Sequence, residues 1–433
     1  MQPNVNLEDT RKQTDPAGRT RRFARREALT EGTRCAEALP PRGALRQLGA
    51  GLVVLVACYA SAYGQGAGGA PPDQELCGKN YLHLPIHLLS KRFMWENDVG
   101  LSDEDYTNGM RWERHAYPEC SRDALGPLGR GITRLHEFLS VGEFTRTVGY
   151  GFGMNLYTPR RTNISAPILV DRPYSGWAYG SLIASGQRER EIAGRGTGLP
   201  EIDSTVEIML GALGSWARQD RVQRAFHELM ESDLPMGWEH QQEGAVGFNL
   251  LYNRERHFYR RNSNVRLSLG YGGILGNVRS EVNAKLAFAY ANDARAWQFV
   301  DTDTIPSAVP ALAARAVQGD RDPPEDRRCR EGDYQCVKGE FLSLKYWSFA
   351  LSGVPRYKAY DYFIEHDSAA GEHGIEIDRG AIDVVTSFEF KRPRSQSVFA
   401  FRYVMRSQEL ASPVDELNEE HRFFQFNWQS FFH

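Results

Sequence analysis

From residue 93 onward, apolar side chains recur at every second position. Val148, Tyr150, Phe152, Met154 and Leu156 alternate with Thr147, Gly149, Gly151, Gly153 and Asn155. Val265, Leu267, Leu269 and Tyr271 alternate with Arg266, Ser268, Gly270 and Gly272, and comparable runs lie at 281–290 and 382–391. A period of two puts one face of an extended segment in an apolar medium and the other against polar groups or glycine. The pattern predicts strands at 92–98, 106–117, 144–158, 174–187, 203–214, 244–257, 264–275, 280–291, 341–365, 381–392, 397–408 and 420–432. A soluble β-sandwich shows the same alternation. Strands of ten or more residues, aromatics near strand ends and an even strand number favour the other reading. That reading is an all-β fold, a transmembrane antiparallel β-barrel of about 12 strands.

The C-terminus adds to it. Phe424, Phe426, Trp428, Ser430 and Phe432 occupy every second position, as in the last strand of bacterial outer-membrane barrels, with His433 where the final aromatic usually stands. Pro393-Arg394-Ser395 reads as a tight periplasmic turn. One segment breaks the strand pattern. Trp216–Glu231 lacks Gly and Pro, and Val222, Phe226, Leu229 and Met230 form an apolar stripe, so an amphipathic helix is expected. Strand parity places this helix and the 99–105 loop on the same, outer side. The same parity puts a long insertion at 292–337 on the periplasmic side, where connections are ordinarily short. Either the insertion is atypical or the 341–365 segment merges two strands.

Composition narrows the class. The net charge is −3 and charged residues make up 25%, which gives nucleic acid no footing as a partner. A mean hydropathy of −0.50 excludes a bundle of membrane helices but not a barrel, whose strands are only half apolar. The 41 Gly, 22 Phe, 19 Tyr and 8 Trp suit a barrel. Residues 1–62 read as a polar, basic extension followed by a secretory signal: Arg46, an apolar run from Leu48, and Ala-Ser-Ala at 60–62. Leu55-Val-Ala-Cys58 also resembles a lipoprotein cleavage box, which leaves two routes of processing open. Residues 63–91 form a linker and 92–433 the barrel. Cys77, Cys120, Cys329 and Cys336 remain after export, an even number that suggests disulfides.

The candidate chemistry is concentrated in two places. WENDVGLSDEDYTNGMRWE, residues 95–113, carries Asn97, Asp98, Asp103, Glu104, Asp105 and Thr107 in one hairpin-sized stretch. Asp98 is a plausible oxygen ligand for a hard cation such as Ca²⁺, although the acidic run lacks EF-hand spacing and also reads as a solvated loop. In an extended strand, Asn97 and Asp98 point to opposite faces, so both serve one site only where the strand ends or bulges. On the predicted helix, Gln223 and His227 are four apart and share a face, where an imidazole can take a proton from water. A lone helical histidine is more often a packed or surface residue.

Trp95-Glu-Asn-Asp98, Asp105-Tyr-Thr-Asn-Gly109, Tyr157-Thr-Pro159, Asp171-Arg-Pro-Tyr-Ser-Gly-Trp177, Gln223-x₃-His227 and Pro235-Met-Gly-Trp-Glu-His-Gln241 occur in that order. Together they resemble the outer-membrane lipid A 3′-O-deacylase family, and weaker similarity continues to Arg406-Ser-Gln-Glu409. The resemblance implies a twelve-stranded outer-membrane barrel whose site lies between the wall and a helix of an outer loop. It implies Ca²⁺-dependent ester hydrolysis, with lipid A or lipopolysaccharide as substrate and outer-membrane lipids around a monomer. Carried over by position, His227 becomes the base that activates water and Asp98 helps to hold Ca²⁺. Asn97, Thr107 and Gln223 complete the site. Asp233 is the nearest match to an acidic residue that follows the helix histidine in the family, and with Asp98 it is expected to bind the metal. A non-catalytic, porin-like barrel and an outer-membrane phospholipase are the alternatives.

Overall fold

The computed structural model describes residues 88–98, 105–116, 125–140, 145–191, 198–260, 264–293, 296–297, 346–391, 397–414 and 420–431. The 1–62 segment, the four cysteines, Asp103, Glu104, most of the 292–337 insertion and His433 lie outside them. Twelve antiparallel strands close into a barrel. They are β1 Leu88–Asn97, β2 Asp105–Ala116, β3 Thr145–Thr158, β4 Ser175–Glu191, β5 Gly198–Leu213 and β6 Ala245–Tyr259. After these come β7 Val265–Gly276, β8 Arg279–Ala291, β9 Tyr346–Asp361, β10 Gly380–Lys391, β11 Ser397–Arg406 and β12 His421–Phe431. Each pairs with its neighbours in sequence, and β12 returns to β1 from Ser90↔Phe431 to Asn97↔Phe424. Closure leaves no edge of unpaired backbone, the condition for strands in a bilayer.

β9 is one strand. It pairs along its length with both β8 and β10 and then turns into a single helical turn, Tyr362–Glu365. The 341–365 segment therefore merges no second strand, and the strand count stands at twelve. The connection from β8 to β9 leaves the barrel at the end opposite the β1–β2 connection. The β1–β2 end is called the rim below.

The two faces of the wall are chemically distinct. Arg92, Glu96, Arg111, Glu113, Glu207, Asp383 and Arg406 are buried on the lumen side, while Phe152, Leu267, Phe288, Leu351 and Phe424 stand exposed on the outside. Charges removed from water have to be paired. Arg111 donates to Glu207 at 2.8 Å, to Tyr179 Oη at 3.3 Å and to Glu113. Arg406 grips Asp383 through two nitrogens at 2.9 and 3.1 Å, and Arg356 joins the same carboxylate. Toward the rim the lumen turns apolar. Trp177, Tyr179, Met209, Leu213, Leu251 and Tyr157 pack against Phe363 of the Tyr362–Glu365 turn. Phe363 stacks on Tyr157 with ring centroids 4.1 Å apart. Gln242 fixes that turn by donating to the Tyr362 and His366 carbonyls at 2.9 and 2.6 Å.

Among the described residues two longer helices accompany the barrel: α1, Gly126–Leu139, and α2, Gln219–Met230. α1 lies in the β2–β3 connection, away from the rim, and no expectation covered it. Pro127 supplies a preset φ in its first turn, and Ile132 packs on Val148, Ala184 and Val206. These three lie on the outer side of the wall, in register with one another across β3, β4 and β5. His136 is buried there, with Nδ1 2.9 Å from Thr145 Oγ1 and Nε2 3.0 Å from Ser204 Oγ. Burial pushes the ring down to about 4, so it is neutral when seated. A ring at the ordinary 6.5 when unseated binds a proton first as pH falls. Seating is therefore fully favoured above about pH 6.5 and loses that contribution between 6.5 and 4. NMR of the His136 ring carbons should give a midpoint near 4; a midpoint at the ordinary value would contradict the burial.

Candidate active site at the barrel rim

The strand register assembles one side of the site. β1 stops at Asn97, which faces Asn108 of β2; Asn108 faces Leu156 of β3, and Leu156 faces Gly176 of β4. The β2–β3 register shifts between Tyr106 and Asn108, so Thr107 is the extra residue of a bulge. Such bulges re-aim the backbone and recur beside active sites. The condition set by the alternation is thus met twice over. The strand ends at Asn97, and its partner bulges opposite. Asn97 is on the outer side yet only 8% exposed, and Asp98 beside it is 3% exposed. Asn97 also pairs with Phe424, an outward aromatic that rings with Tyr403 at 5.0 Å. Polar groups therefore border an apolar strip of wall.

α2 supplies the other side. Its first residue rests on Gly176, where a Cβ would lie 2.1 Å from Gln219 Cγ, so only glycine admits the helix to the wall. Gln219 and Gln223 are the buried residues of this contact, 1% and 3% exposed. Of the expected apolar stripe, Phe226 and Leu229 face outward, 39% and 78% exposed, and Val222 is partly buried. A helix beside a membrane wall can turn apolar side chains away from the protein, since the medium there is not water. From Gln219, a rise of 1.5 Å per residue carries His227 about 12 Å along the axis. Gly176 is three strand spacings, about 14 Å, from β1. The helix therefore spans slightly less than the width of that row.

His227 is held by the way the helix ends. Glu231 takes φ 54°, in the left-handed region. Its N–H and that of Ser232 close on Glu228 O and His227 O at 3.4 and 3.0 Å, a Schellman-type ending. The reversed chain presents the Asp233 carbonyl to His227 Nδ1 at 2.5 Å. A carbonyl only accepts, so Nδ1 carries the proton of the neutral ring and Nε2 is its basic nitrogen. Asp233 thus meets His227 through its main chain, while the residue itself is exposed. Gln223 is held from behind: Trp238 Nε1 donates to Gln223 Oε1 at 2.7 Å, which leaves the amide NH₂ as its remaining polar group.

Trp238 is the residue that spacing alone did not reveal as part of the site, although it sits in a quoted motif. It packs with Tyr174 and Leu156, ring to ring with Tyr174 at 4.8 Å. The 159–174 connection is tied down in turn. Asp171 accepts from Arg160 N and Arg172 N at 2.8 and 2.7 Å, and Met236 N donates to Thr162 O at 2.7 Å. A cavity of about 260 Å³ opens between α2 and this scaffold, lined by Asp220, Arg224, Leu234, Pro235, Trp238, Glu239 and Gln241.

Among the described residues no three His, Cys, Asp or Glu side chains converge as a metal cluster. The rim donors are oxygens, the Asp98 carboxylate and the Asn97 amide. That set suits a hard cation completed by carbonyls and water rather than a transition metal.

A charged lumen, an apolar outer face and a helix laid on the outside of the wall define a membrane barrel whose candidate site lies at the rim. The chain belongs to the family described as outer membrane protein LpxR, whose model matches residues 53–428. Among solved structures it is similar to LpxR from Salmonella typhimurium, with a TM-score of 0.55 and 12% identity over 79% of this chain and 100% of that one. The KdgM porin aligns with 80% of this chain and 100% of its own at 6% identity, but its TM-score is only 0.29. No curated protein sequence matches.

Glu231 and Arg218, at φ 54° and 59°, are the two non-glycine residues of positive φ among those described, and they bracket α2. Each costs roughly 1–2 kcal/mol against glycine. Glu231→Gly should therefore slow amide hydrogen exchange in the last turn of α2, and Glu231→Val should speed it; equal exchange in both variants would contradict the left-handed ending.

Proposed function

We propose that the rim is the active site of an outer-membrane lipid A deacylase that hydrolyses an acyl ester with the help of Ca²⁺. The observation that carries this reading is His227, fixed through Nδ1 by the Asp233 carbonyl on a helix seated against the outer wall. The motif resemblance to lipid A deacylases and the family membership support it. A substrate anchored in the outer leaflet reaches such a site sideways, with its acyl chains along the apolar wall beside Phe424 and its sugar at the rim.

In this reading His227 Nε2 takes a proton from a water molecule, and the resulting hydroxide attacks the ester carbonyl carbon. The tetrahedral intermediate collapses with loss of the sugar oxygen, to which His227 returns the proton. A free fatty acid and a sugar hydroxyl remain. Gln223, braced by Trp238, positions the water or the carbonyl through its amide NH₂. Asp98 would help to hold the ion, Asn97 and Thr107 would complete the site, and Asp233 acts through its main-chain carbonyl. When bound, Ca²⁺ polarises the scissile carbonyl and offsets the charge that develops on its oxygen.

With purified protein and lipid A, His227→Ala should lower fatty-acid release by about 10²–10⁴-fold. Chelation should abolish release by the unaltered protein, and added Ca²⁺ should restore it. Full activity in the variant would remove His227 from the mechanism, and activity that survives chelation would remove the ion. Release from glycerophospholipid but not from lipid A would make the protein a phospholipase.

A further inference from the structure

α1 lies far from the rim, and nothing in the proposed chemistry uses it. Its 14 residues divide into three strips at 100° per residue. Ile132, Thr133 and His136 are buried against the wall. On one flank of the opposite face stand Leu128 and Phe138, 54% and 78% exposed, with the partly buried Leu135 between the two. On the other flank stand Arg130, Arg134 and Glu137, all exposed.

The surface beneath the helix identifies its surroundings. Val148, Ala184 and Val206 belong to the outer side of the wall, as do Leu182, Ile208 and Leu250, which also pack in this cluster. Farther along the same strands, that side shows exposed Phe152, Leu210 and Phe248. Tyr252, from the same side, donates its hydroxyl to the Leu139 carbonyl at 3.3 Å and pins the end of the helix. A helix whose base is the lipid-facing wall has the bilayer beside it. One apolar flank, one basic flank and a position at the end away from the rim match a helix that lies in a membrane interface.

We propose that α1 is an interfacial helix that seats the barrel in the phospholipid leaflet away from the rim. Leu128 and Phe138 enter the acyl region, while Arg130 and Arg134 face the headgroup phosphates. The two arginines supply the charge complementarity to an anionic lipid surface, and the apolar flank continues the outer face of the barrel.

The test uses the full chain in vesicles of phosphatidylethanolamine and phosphatidylglycerol, with p-benzoylphenylalanine installed at position 138 or at position 137. Both side chains are exposed, so neither change alters the packing against the wall, and the heat-dependent mobility of the barrel on a denaturing gel reports folding. Illumination should give phospholipid adducts severalfold more often from 138 than from 137. The Arg130→Gln/Arg134→Gln variant should retain severalfold less phosphatidylglycerol in native mass spectrometry. Equal adduct yields at the two positions, no lipid adducts, or adducts to another protein chain from 138 would overturn the proposal. Unchanged lipid retention in the double variant would overturn the role of the arginines.

Discussion

The site depends on a helix lying directly against the outside of a β-wall. Layers of secondary structure ordinarily pack about 10 Å apart because side chains fill the gap. At Gly176 there is no side chain to fill it, and Gln219 occupies the space a Cβ would need. Two glutamines, rather than an apolar stripe, then make the contact, so the buried seam of α2 is itself polar and chemically usable. The register does the rest. Four neighbouring strands place Asn97, Asn108, Leu156 and Gly176 in one row, which links the end of β1 to the base of the helix.

Both ends of that helix are made at a cost. Arg218 starts it and Glu231 ends it in left-handed backbone, without the glycine that usually occupies such positions. Strain of this kind persists where the surroundings over-determine the conformation. Here the surroundings are identifiable. The 232–242 segment is tied to the 159–174 connection through Met236, Trp238 and Tyr174, and to the lumen plug through Gln242. The turn that Glu231 makes is also the turn that delivers the Asp233 carbonyl to His227. The local cost therefore fixes which imidazole nitrogen can act as a base.

Much of the barrel was legible because each strand commits one face to lipid and the other to the lumen, and a period of two survives any sequence drift that respects this. The even count follows from it, whereas the period left open a second strand within 341–365, and only the pairing of Tyr346–Asp361 with both neighbours shows one strand there. The Tyr362–Glu365 plug left no signal, since a four-residue helical turn has no period. α1 did leave one, Leu128, Ile132, Leu135 and Leu139, but glycines at 126, 129 and 131 weaken it as a helix. The orientation of α2 was unreadable for a different reason. A hydrophobic stripe points toward the protein only when the far side is water, and Leu229 points away. At the site, His227 with Gln223 was legible as a helical pair, and the Asn97–Thr107 stretch as a polar cluster. The bulge at Thr107 and the bond from Trp238 to Gln223 were not, since one is a single displaced residue and the other joins segments fifteen positions apart. The family motifs contained Asp171 and Trp238 without indicating their work, which is to hold the loops that hold the site.

The account's central claim is that an external, histidine-centred site at the rim removes acyl chains from lipid A. Mass spectrometry of lipid A, extracted from cells that express the chain and from matched cells that express His227→Ala, tests it most directly. The account predicts a lipid A species lighter by one or more acyl groups only where His227 is intact. Identical lipid A from the two cultures, with both proteins folded in the outer membrane, would contradict it.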